Sequence, residues 1–219
     1  MISKKYKCIF IHIPKTGGSS IESLIWNKYS KTEENLWNGF IDEYHNKYQT
    51  GGLQHLKAVQ VLNEISPFRF NNYFKFTIVR NPFDKAVSQF EYLKKRKDLR
   101  DFIGIKSSSS FKNYLELIQE KNHVQWEPQT NFIYDSKNEL MVDFLGRFED
   151  YDNDVNHILD VIGKRRGFFG KPRSIPHLKK SSRRHYSSYY DEESVKLIEQ
   201  IYGRDLDLLN YQFDYKSSQ

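Results

Sequence analysis

Lys7-Cys8-Ile9-Phe10-Ile11-His12-Ile13-Pro14-Lys15-Thr16-Gly17-Gly18-Ser19-Ser20 reads as a strand, a glycine turn and a helix start. The apolar run from Ile9 to Ile13 predicts a buried strand, which Pro14 ends. Ile21, Leu24 and Ile25 then follow at helical spacing. Such a junction aims several backbone N–H groups and the positive end of a helix at one spot, which suits a phosphate or sulfate. Gly17 and Gly18 let the backbone come close to the anion. Lys15 adds a point charge, and Thr16, Ser19 and Ser20 add neutral donors. The nucleotide P-loop has the order G-x-x-x-x-G-K-[ST]. Here the lysine precedes the glycines, which weakens an ATP or GTP reading. The plainer alternative is an ordinary strand–helix turn with a solvated lysine.

Outward from this stretch, 219 residues suit one α/β domain spanning 1–219, with enough chain for a sizeable core. The start, Met-Ile-Ser-Lys-Lys, has no long apolar segment, so no signal peptide is visible. No run approaches the ~18 apolar residues of a membrane span. One cysteine, Cys8, excludes an intrachain disulfide framework and a thiolate metal cluster and is expected to be a small buried residue. These features predict a soluble, cytoplasmic protein of bacterial type, unless an N-terminal anchor has been removed. The net charge of +6 favours anionic partners.

The pattern predicts a helix over 19–29, an irregular stretch over 30–52 and a helical stripe from Leu53 to Ile65, with His55 near its start. Phe74 to Arg80 is a second strand, and Asn81-Pro82 stops it. Pro82 suits the first turn of a helix carrying Phe83, Val87, Phe90 and Leu93, which ends in Lys94-Lys95-Arg96-Lys97. Strand, turn and helix thus occur a second time. A loop at 104–110, a helix at 111–120, an aromatic and polar stretch at 123–134, a strand at 141–148 and a helix at 151–162 follow. Nine Lys and Arg residues with no acid lie between Val161 and Tyr190. A last helix starts near Asp191. Alternating strands and helices imply a central, mainly parallel sheet with helices on both faces.

Two segments together resemble a known family. Ile11 to Ser20 resembles the 5′-phosphosulfate loop of the carbohydrate sulfotransferases (the heparan and chondroitin type). Val79-Arg80-Asn81-Pro82-Phe83-Asp84-Lys85-Ala86-Val87-Ser88 resembles their 3′-phosphate motif, an arginine with a serine eight residues on. Gly146 to Asp150 and His177 to Ser181 look like later family segments. The resemblance implies a P-loop-like three-layer α/β sandwich. It also implies a donor, 3′-phosphoadenosine 5′-phosphosulfate, and transfer of its sulfuryl group to a hydroxyl or amine of a saccharide acceptor. Residues Lys15, Thr16, Gly17, Gly18, Ser19 and Ser20 would take the phosphosulfate end. Arg80 and Ser88 would take the 3′-phosphate, with bidentate geometry available to the arginine. Both loops would lie at the C-terminal edge of the sheet. Lys15 would meet the charge on the bridging oxygen. The chemistry needs no metal, and no Asp, Glu or His spacing suggests one.

The acceptor must lose a proton, and histidine is the natural base. Relatives place a histidine base between the two donor motifs, which selects His55. His123, beside the aromatic stretch, is the second candidate, and Glu22 or Asp84 the acidic alternatives. His12, inside the first strand, reads as structural. The basic segment 164–185 reads either as a solvated loop or as a lid bringing Lys179, Ser181 and Arg183 to the donor. Two other classes compete. A nucleotide kinase would need G-K-[ST] order, and a nucleic-acid module would use the basic patches but leave the two anion loops unexplained. No sequence feature names the acceptor sugar.

Overall fold

The computed structural model describes residues 1–39, 52–164, 175 and 183–215. These residues divide into two compact units, one from Met1–Val79 with Asn131–Lys180 and the other from Arg80–Thr130 with Ser181–Gln219.

The first unit holds a four-stranded sheet in the order β1 (Ile2–Ser3), β2 (Cys8–Phe10), β3 (Phe74–Val79), β4 (Phe144–Arg147). β2, β3 and β4 are parallel, with Phe10 opposite Phe76 and Phe76 opposite Phe144. β1, which the apolar pattern did not announce, adds an antiparallel edge. The rest is the mainly parallel α/β arrangement expected. β3 is aromatic and β-branched because it lies between two strands with side chains enclosed on both faces. On one face Phe10, Phe76 and Ile78 pack with Ile21 and Ile25 of α1 (Gly18–Ile25) and with Val155, Ile158 and Leu159 of the helix Tyr151–Val161. Cys8 is buried in that cluster, as expected.

The stripe from Leu53 to Ile65 is broken in two. Gly52–His55 forms a 3-10 turn, and α2 starts only at Ala58–Glu64. The cause is a helix-start signal inside the stripe: the Lys57 N–H donates to the Gln60 side chain at 2.8 Å with Lys57 extended. His55 therefore sits in a buried turn and not on a helix surface. α3 (Pro67–Asn72), capped by Ser66, was not expected.

The second unit is helical and aromatic. α4 (Pro82–Leu93) starts with Asn81 accepting from the Phe83 N–H at 3.0 Å and proline in its first turn. The basic run beyond it does not extend α4. Arg96 pairs with Asp98 at the entry to α5 (Lys97–Ile103). α6 (Phe111–Gln119) follows, and the short α7 (Thr130–Ile133) returns the chain to the first unit, where the helix Tyr151–Val161 is α8. α9 (Glu192–Leu208) closes the second unit, capped by Asp191 as the acids at its start suggest. Its Ile198 and Tyr202 join Phe83, Val87, Phe90, Leu93, Tyr114 and Trp126 in one core. Among the described residues no helix is long and apolar enough to cross a membrane.

Candidate functional site

β2 hands the chain to a loop that is braced on three sides. Thr77 on β3 donates its hydroxyl to the Ile11 carbonyl at 2.7 Å. Thr16 is fully buried, and its hydroxyl donates to the Ile13 carbonyl at 2.9 Å. Thr16 thus spends its hydroxyl proton on the loop itself, so what it can offer an anion is its backbone. Tyr151, which opens α8, donates to the Gly17 carbonyl at 2.6 Å. Burial raises the Tyr151 phenol to about 12, so it stays a donor at neutral pH. Lys15 has φ 68°, a left-handed conformation that non-glycine residues adopt only when the surroundings impose it. Gly17 has φ 88° and caps α1. No capping side chain and no acid occupies the first turn of α1, so its N-terminal N–H groups meet no competing carboxylate there. Lys15, Gly17 and Ser19 are half-buried at the mouth of the loop, and Ser20 is buried behind it.

Two histidines lie beneath this loop. A Cβ on Gly18 would stand 2.0 Å from His12 Nε2, so glycine there lets the imidazole lie directly under the helix start. His12 Nδ1 is 2.9 Å from Glu22 Oε1, a close contact that does not meet hydrogen-bond geometry. Glu22 is buried and engaged with His12 instead of open to an acceptor. The His12 carbonyl lies 2.9 Å from His55 Nδ1, and the two rings are 4.5 Å apart. A carbonyl only accepts, so Nδ1 of His55 carries the proton. The neutral ring is then unprotonated at Nε2, the tautomer a general base requires.

His123 has the opposite tautomer. Its Nδ1 accepts from the Gln125 N–H at 3.0 Å, which puts the proton on Nε2. That Nε2 is buried without a partner, and the ring stacks on Trp126 at 4.7 Å. Burial lowers its pKa to about 4. His123 is a neutral core histidine.

In the second unit Arg80 follows directly on β3 and is 7% exposed. Its Nε and one terminal nitrogen both meet Asp84 Oδ2, at 2.7 and 2.6 Å. Arg183 holds the other oxygen of Asp84. Burial by itself would raise the Asp84 carboxyl, but the two guanidiniums outweigh it and hold the group below the usual carboxylate range. Asp84 is thus a fixed anion that orients Arg80, and the role of base does not suit it. Ser88 lies two turns along α4, half-buried. The backbone of Arg80 is held as well: its N–H donates to Gln129 Oε1 at 2.9 Å, and its carbonyl accepts from Gln129 Nε2 at 2.7 Å.

Lys179, Ser181 and His177 lie outside the described residues, as does most of the basic segment. Tyr151, Gln129, Asp205 and the Arg183–Asp84 contact escaped the sequence reading. One of them left a trace: Asp205 falls on the stripe Ile198, Tyr202 of α9 that continues to its C-cap Leu209, an acid at a core position.

The sequence profile of the sulfotransferase family matches residues 1–212. Carbohydrate sulfotransferase 10 of Xenopus laevis is 23% identical over 250 aligned positions, covering 96% of this chain and 66% of that protein. Carbohydrate sulfotransferase 9 of Homo sapiens is 23% identical over 187 positions, covering 74% of this chain and 40% of that protein. The chain thus spans two thirds or less of these relatives. No solved structure matches.

Proposed function

The chain belongs to the sulfotransferase family, and on that premise we propose that it moves the sulfuryl group of 3′-phosphoadenosine 5′-phosphosulfate to a hydroxyl or amine of a saccharide. The saccharide class rests on the two relatives, both named as carbohydrate sulfotransferases. The donor fits the residues present. An acid-free helix start behind a glycine that no Cβ could replace suits a phosphosulfate, and a buried, oriented arginine suits a 3′-phosphate. The observation that carries the reading is the His55 Nδ1 contact with the His12 carbonyl, because it ties a base of the right tautomer to the loop that would hold the donor.

When bound, the donor supplies sulfur attached to a phosphate leaving group. The chain's residues would then act as follows. His55 Nε2 takes the acceptor proton as the acceptor oxygen bonds to sulfur and the sulfur–bridging-oxygen bond breaks. Lys15 and the N–H groups of residues 16–19 meet the charge left on the phosphate, the Ser20 N–H being spent on the Gly17 carbonyl at 3.1 Å. Arg80 and Ser88 hold the 3′-phosphate, a part of the donor that does not react, and so contribute binding energy.

Thermal stabilisation by 3′-phosphoadenosine 5′-phosphate, compared with ATP, tests the donor. At a hundredfold excess over Kd the gain is about 2.7 kcal/mol. It should be lost in Lys15→Ala and Arg80→Ala; an ATP preference, or no shift, refutes the assignment. His55→Gln should retain the shift and lose ~100- to 10,000-fold in turnover.

A further inference from the structure

We infer that Gln129 and Asp205 are positioning residues for the 3′-phosphate arginine, which they hold by its backbone; the inference rests on the assignment of Arg80 above. Arg80 is the first residue after β3, and its guanidinium direction depends on how the chain leaves the strand. At that point one side-chain amide takes both backbone groups of Arg80, accepting from its N–H at 2.9 Å and donating to its carbonyl at 2.7 Å. Gln129 therefore does for Arg80 what a neighbouring strand would do, from a residue with no exposed surface.

Gln129 is itself tied down. Asp205 of α9, with no exposed surface, accepts from the Gln129 N–H at 2.7 Å and from the Thr130 N–H at 2.8 Å. It also accepts from the Thr130 hydroxyl at 2.7 Å. Lys85 of α4 donates to the Glu127 carbonyl at 3.0 Å, two residues earlier. Residues 127–130 are thus pinned by a buried cation and a buried carboxylate, and the pinned segment aims one amide at Arg80. A carboxylate with three good hydrogen bonds is a stiff anchor. Asp84 sets the plane of the guanidinium, and the Asp205–Gln129 chain sets the backbone that carries it.

The test compares two nucleotides, 3′-phosphoadenosine 5′-phosphate and adenosine 5′-phosphate, which differ only in the 3′-phosphate. Gln129→Glu keeps the size and one acceptor but sets an oxygen against the Arg80 carbonyl. It should reduce the preference for the 3′-phosphorylated nucleotide at least tenfold, with the affinity for adenosine 5′-phosphate unchanged. The double variant Arg80→Ala/Gln129→Glu should lose no more preference than Arg80→Ala alone, since the two act through one group. Asp205→Asn, which preserves volume, should give a smaller loss in the same ratio and serves if Gln129→Glu does not fold. If Arg80→Ala abolishes the preference while both other variants keep it, the positioning role is refuted and Arg80 stands. A preference untouched by Arg80→Ala overturns the phosphate assignment and this inference with it. Equal weakening for both nucleotides also overturns it, because that marks a general structural role.

Discussion

Gly18→Ala gives the sharpest test of the loop. An added Cβ would lie 2.0 Å from His12 Nε2, 2.1 Å from Cδ2 and 2.8 Å from Cε1, where ordinary contact begins at 3.4 Å. The ring cannot simply retreat. It is buried, its Nδ1 lies 2.9 Å from Glu22, it stacks 5.2 Å from Phe10, and the tilted ring of His55 is 4.5 Å away. Alanine would ordinarily gain up to ~1 kcal/mol over glycine in a helix. Forcing atoms into a packed site costs about 1–3 kcal/mol, and at so close an approach the clash outweighs the helical gain. We expect a net loss of about 1–2 kcal/mol in urea unfolding. Because His12 also presents the carbonyl that holds His55, turnover should fall further than donor binding. The control is His12→Ala, which empties the space: in that background Gly18→Ala should cost nothing or stabilise. An equal cost in both backgrounds, or a Gly18→Ala protein of unchanged stability, would falsify the contact argument.

Three further outcomes follow from single sites. His123 is held neutral by burial down to about pH 4, so between the unfolded value of 6.5 and that point the unfolded chain binds the extra proton. Stability therefore falls as pH drops through this window, by on the order of 3 kcal/mol from this group, and His123→Phe should flatten the acid limb of urea midpoints measured from about pH 7 to 4.5. An unchanged limb in His123→Phe overturns that assignment. A Cβ on Gly203, in α9, meets nothing within 4 Å. Gly203→Ala should add about 0.5–1 kcal/mol, read as a rise of roughly 1–4 °C in Tm, and a fall would show that the helix cannot accept the side chain. On β4 a Cβ at Gly146 would come within 2.5 Å of the Ile78 side chain and 3.1 Å of Asp154. Gly146→Val should cost about 2 kcal/mol or more by differential scanning calorimetry, while a neutral result would mean that β4 can move off β3 without loss.

The order of apolar runs and breakers was enough to read much of this molecule. Ile9 to Ile13 and Phe74 to Val79 form apolar, β-branched runs, and a proline follows each within three residues. Both runs hold strands, Phe74 to Val79 over its full length, whereas the first is strand only over Cys8–Phe10, and Ile11 to Ile13 already lie in the loop that follows. The lysine-first glycine loop and the Arg80–Ser88 spacing were likewise visible, because local backbone needs impose local residue choices. His55 was legible as a candidate only through its position between the two motifs. Its burial was not, since the stripe from Leu53 to Ile65 looks like one helix until the Lys57–Gln60 cap divides it.

By itself, then, the sequence determined the strand–turn–helix units and which side chains stand at the mouths of their turns, since both follow from near-neighbour sterics and periodicity. Tertiary structure alone decided the tautomer of His55, because it depends on a carbonyl that faces the ring from 43 residues away, whereas that of His123 is set locally by an N–H two residues on. Tertiary structure alone also decided which groups hold the glycine loop and the segment that pins Arg80. Tyr151 reaches Gly17 across 134 residues, and Asp205 reaches Thr130 across 75. No periodicity records such contacts. They exist because a buried carbonyl, N–H or carboxylate must find a partner, and only the folded chain brings one within reach.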